Sequence, residues 1–103
     1  MEVQLAPGKA AVLADPTDMR RFSVTVAAPS SALAEIAAQY ADVLTFDDEG
    51  HAWVATSWII EASNRGDWAD WRGEFEVMRS YAAKHGWTRE DPPAIRGHVV
   101  WQG

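Results

Sequence analysis

Arg21, Trp53, Arg96 and His98 are the residues whose types and spacing bear most directly on chemistry in this sequence. Arginine and histidine supply charge-assisted hydrogen bonds to anions, and a tryptophan face adds stacking or cation–π attraction. Their spacing predicts a shared surface. From Arg21 onward the residues alternate, Phe22, Val24 and Val26 against Arg21, Ser23 and Thr25, which is the period of a strand with one buried face. The last run alternates likewise, with Ile95, Gly97, Val99 and Trp101 against Arg96, His98 and Val100. Successive side chains of a strand point to opposite faces, so burying Phe22, Val24 and Val26 sends Arg21 to the other side. Arg96 and His98 are expected to join it there, beside Trp53 or Trp58. Such a patch binds an anionic or aromatic ligand, although a solvated sheet face needs the same kinds of residue for solubility alone.

Other chemistries find little support. His51, His85 and His98 show none of the HxH, HxxxH or HExxH spacings, so neither a metal nor another cofactor is expected. His85 suits a helix C-terminus and His51 flanks a turn, leaving His98 as the one histidine placed for acid–base work, and no catalytic residue is assigned. Asp47-Asp48-Glu49-Gly50 lacks the ligand order of a calcium loop and reads as a turn. There is no Gly-x-Gly-x-x-Gly, P-loop or Gly-x-Ser-x-Gly motif, and the absence of cysteine excludes disulfides, thiolate metal sites and cysteine nucleophiles.

Composition narrows the partners. The formal net charge of −6 arises from 15 acidic against 9 basic residues, with no basic cluster longer than Arg20-Arg21, so nucleic acid is not an expected partner. The first residues lack a basic segment followed by a long apolar one, and no run of about 18 apolar residues occurs. A soluble protein in the cytoplasm, not bound to membrane, is therefore expected. With 103 residues, 48% of them hydrophobic and six of them tryptophan, the chain has material for one layered core.

The elements that must position the patch follow from periodicity. Residues 1–20 read as a lead-in segment with an edge strand, and 21–103 as a single α+β domain. Leu33, Ile36, Ala37, Tyr40 and Val43 recur at helical spacing after Pro29-Ser30-Ser31. Val43 to Phe46 and His51 to Ile60 predict a hairpin, with Gly50 in the left-handed position of its turn. Trp68, Trp71, Phe75, Met78, Ala82 and His85 predict a second helix closed by Gly86, and Thr88 to Pro93 a loop before the last strand. The order strand, helix, strand, strand, helix, strand predicts a ferredoxin-like βαββαβ plait, two helices on one face of a four-stranded antiparallel sheet, with an extra N-terminal edge strand as the variant.

This order of elements, together with the acidic balance, resembles the small acidic inhibitors that bind ribonuclease E and dimeric plait proteins such as the antibiotic biosynthesis monooxygenases. The resemblance is one of architecture, and neither family's diagnostic residues are matched. The expected function is a non-enzymatic protein-binding or regulatory module, its partner another protein or a second copy in a homodimer. The alternative is a small cofactor-independent enzyme or anionic-ligand binder that uses the open sheet face at a dimer interface.

Overall fold

The computed structural model describes residues 1–103. Its strands are β1 (Glu2–Leu5), β2 (Val12–Ala14), β3 (Ser23–Val26), β4 (Leu44–Asp48), β5 (His51–Ala55), β6 (Thr88–Glu90) and β7 (Pro93–Trp101). Its helices are α1 (Leu33–Gln39, entered through a 3-10 turn at Ser30–Ala32), α2 (Thr56–Ala62) and α3 (Ala69–Lys84). All seven strands belong to one mixed sheet in the order β2-β1-β3-β7-β5-β4, with β6 paired to β7. No helix is long and apolar enough to cross a membrane.

This sheet corrects the expected ferredoxin-like plait. The lead-in segment contributes two strands, and β1 lies inside the sheet, parallel to β3, with Val3 opposite Val24 and Leu5 opposite Val26. One edge of β3 is thereby taken, and β7 occupies the other in parallel orientation. A four-stranded antiparallel arrangement has no place for either parallel pairing, and the architectural resemblance to plait proteins lapses with it.

Alternation decides which face is buried. Leu13, Val3, Val24 and Val99 stand side by side across four strands, as do Ile95, Val54 and Leu44, and all of them are buried. Ile36 of α1 and Tyr40 just after it, Ile59 of α2, and Trp71 and Phe75 of α3 complete the same core, so the helices cover this one face. The opposite face carries Glu2, Ser23, His98 and His51 in one cross-strand row and Arg96, Trp53 and Thr45 in another. Of these only Thr45 and His98 are exposed, the other five being half-buried.

Three local expectations are also corrected. The predicted strand His51 to Ile60 ends at Ala55, and α2 begins at Thr56. Beyond Ala55 the ladder runs out: β4 starts at Leu44, opposite Val54, and Ala94, opposite Ala55, is preceded by Pro93, which has no N–H. Helical hydrogen bonds take over, and Thr56, Ile59 and Ser63 turn inward at steps of three and four. The predicted loop at Thr88 to Pro93 contains β6, which pairs back on β7 with Thr88 opposite Ile95. Gly50 is not left-handed; Asp48 Oδ1 accepts its N–H at 2.7 Å instead, and the positive φ values in glycine belong to Gly8 and Gly86.

Candidate functional site

The site lies where the sheet divides. β5 runs along one edge of β7 from Ala94 to His98, while the other edge is shared by β6 up to Ile95 and β3 from His98 onward. Between these two partners, the β6 ladder ends at Thr88 and the β3 ladder begins at Ser23; the Arg96 N–H still donates to the Trp87 carbonyl at 2.8 Å, in line with the β6 register, beyond which the two strands part. A cleft of about 350 Å³ opens at this split, walled by the Met19–Phe22 segment on one side and by α3 and Trp87 on the other.

Each wall has a local cause. The Met1 nitrogen donates to the carbonyls of Asp18 and Arg21, both at 2.7 Å, and the Trp71 indole donates to Pro16 at 2.8 Å, which fixes the segment ahead of β3. Phe22 then folds its ring over Gly97, where a Cβ would come within 2.9 Å of Phe22 Cε2. Only glycine allows that approach. On the opposite wall Gly86 ends α3 at φ +74°, Trp87 N–H bonds to Ala82 and Gly86 N–H to Ala83, a Schellman arrangement. This turn delivers the Trp87 ring to the cleft, stacked on His85 at 4.5 Å and edge-on to Tyr81 at 6.4 Å.

Of the residues singled out in the sequence, Arg21, Arg96 and His98 line the cleft. Trp53 does not. It stands opposite Arg96 on β5, with the Arg89 guanidinium 5.0 Å above its ring, on the open face outside the cleft. Arg20 and His51 were not singled out and also line it. His51 comes in because it pairs with His98 across β5 and β7, the two rings 5.6 Å apart, a juxtaposition that needs the strand register and not the sequence alone.

Charge is distributed unevenly around these residues. Three of the nine Lys and Arg side chains (Arg20, Arg21, Arg96) and two of the three histidines line the cleft, and none of the 15 carboxylates does. Arg96 reaches out to Asp47, with Nη2 at 2.9 Å and Nε at 3.1 Å from one carboxylate oxygen, whereas Arg20 and Arg21 form no ion pair. At the rim His51 Nδ1 lies 3.2 Å from Asp48 Oδ1. The Gly50 N–H, and after it His51, hold the Asp48 carboxyl below the usual carboxylate range, so it stays ionised at neutral pH.

The apolar surface of the cleft comes from Phe22, Met78, Tyr81, Trp87 and Ile95. An apolar wall beside a few convergent cations is the common plan of a site for a small organic anion. His98 makes no side-chain hydrogen bond, so nothing orients its ring as the partner of a general base would. No group of three or more His, Asp or Glu side chains converges as a metal site. No family model matches the chain, and comparisons with curated proteins and with solved structures likewise give no match.

Proposed function

We propose that this protein is a binding protein for a small organic anion, held in the cleft at the division of the sheet. One observation carries the reading: in a chain of net charge −6, the cleft gathers Arg20, Arg21 and Arg96 with His51 and His98 and is lined by no carboxylate. The anionic group of the ligand sits among Arg20, Arg21 and His98, and its apolar body lies against Phe22, Met78 and Trp87. Arg20 and Arg21 are free of ion pairs, so the ligand has no internal salt bridge to displace there. This reading develops the anion-binding alternative and moves it from the flat open face into the cleft. The protein-binding and homodimer readings have no comparable feature in their favour. The cytoplasmic location expected from the sequence belongs to the same proposal and is checked by cell fractionation.

The test compares a carboxylate with its neutral isostere. Hexanoate is expected to saturate a change in tryptophan fluorescence that is lost in a Trp87→Phe variant, and hexanamide to bind at least about tenfold more weakly, since charge-assisted hydrogen bonds to arginine contribute about 1.5–3 kcal/mol. Replacing both Arg20→Gln and Arg21→Gln should weaken hexanoate by about tenfold or more while leaving thermal stability within about 1 °C, because both side chains are exposed. Equal binding of hexanoate and hexanamide, or of wild type and the double variant, would reject the proposal.

A further inference from the structure

The cleft does not end at the sheet. A second depression of about 670 Å³ shares Met19, Arg20, Met78 and Tyr81 with it and continues between residues 17–20 and the outer side of α3. From Glu74 to Ala82 this wall runs about 12 Å at the helical rise of roughly 1.5 Å per residue, the reach of an extended chain of about ten carbons. The polarity along it is graded. The inner end holds Arg21, Arg96 and His98; Arg20 stands where the two depressions meet, with Met19, Met78 and Tyr81; the outer end exposes Val77 beside Thr17, Asp18 and Glu74.

Resting on the anion-binding reading, the geometry points to an elongated amphipathic monoanion as the ligand class: one carboxylate head at the division of the sheet and a linear aliphatic chain along α3. Two methionines in the middle of the groove suit a flexible chain, because their unbranched thioether side chains repack around irregular apolar shapes. Val77 is 71% exposed and Tyr81 59%, an apolar stripe on an outward helix face that an aliphatic chain would cover. Asp18 and Glu74 set the other limit. A second anionic group at the far end of the chain would meet two carboxylates, so the groove selects against dianions of the same length.

The experiment is a titration, below micelle-forming concentrations, of hexanoate, decanoate and the dianion sebacate against the full chain and its Val77→Glu variant. Decanoate, with four more methylenes, is expected to bind about 15- to 250-fold more tightly than hexanoate, since each methylene covered by apolar wall adds roughly two- to fourfold. Sebacate should bind at least about tenfold more weakly than decanoate. Val77→Glu, at a largely exposed position, should weaken decanoate by about tenfold and leave hexanoate unchanged. Equal affinities for hexanoate and decanoate, or a decanoate affinity indifferent to Val77→Glu, would overturn the extended groove and leave the head site standing. Failure of every carboxylate to bind would remove both.

Discussion

Gly97 connects the core to the cleft through a single missing methyl group. Its neighbours Ile95 and Val99 have side chains in the core, yet at Gly97 the space belongs to the Phe22 ring, 2.9 Å from where a Cβ would stand. Gly97→Ala is therefore expected to destabilise the protein by about 1–3 kcal/mol, the usual cost of overpacking, and to push Phe22 out of the cleft wall. Denaturant unfolding together with hexanoate titration checks this. Unchanged stability with unchanged affinity would mean that Phe22 does not depend on Gly97. The other residues of the site were legible to different degrees. Arg96 and His98 could be assigned to one face because the last strand alternates from Ile95 onward. That Trp87 faces the same cleft as Arg21 depends on β6, and a three-residue strand leaves almost no periodicity to read.

Among the elements, those with strong internal patterns could be read and those defined by their neighbours could not. α3 has its apolar residues at steps of three and four over 16 residues, β3 alternates throughout, and β7 alternates from Ile95 onward. β1 and β2 are four and three residues long, and their places, β1 inside the sheet and β2 at its edge, come from pairing with β3 and with each other. Short strands acquire their identity from partners distant in sequence. α2 shows the reverse error, a β-prone run that turns helical where its ladder partners stop. The β1–β3 pairing has a titratable signature. Glu2 accepts the Thr25 hydroxyl at 2.6 Å and the Gln4 amide at 3.0 Å, and these hydrogen bonds, the Thr25 one foremost, hold its carboxyl below the usual range. A depressed carboxylate pKa contributes stability that is complete above the unfolded-state value and is lost as pH falls through the lower folded value. Thr25→Val should therefore cost up to about 1 kcal/mol at pH 7, and the difference from wild type should vanish in acid once Glu2 is protonated in both states. Unfolding curves across that acid range decide the matter; a difference independent of pH would assign the loss to packing instead.

At the scale of the whole molecule, one core and one uneven charge distribution explain the site together. Met1, Val3, Leu5 and Leu13 from the first 20 residues join Phe75, Ile59 and Ile95 in a single buried cluster, so the segment that carries Arg20 and Arg21 is tied to the sheet at both ends. The net charge of −6 repels anions at long range, but screening at physiological salt reduces that field within about 8 Å, and the local cations govern the cleft. The division of the sheet supplies the concavity that a continuous ladder would have closed. The most direct measurement of this account is the amide ¹H–¹⁵N spectrum of the labelled protein during titration with hexanoate. Shifts are expected to cluster at Met19 to Phe22, Ala82, Trp87 and Arg96 to His98, with the amides of β1 and β2 still. Saturable shifts centred elsewhere, or none that saturate, would contradict an anion site at the division of the sheet.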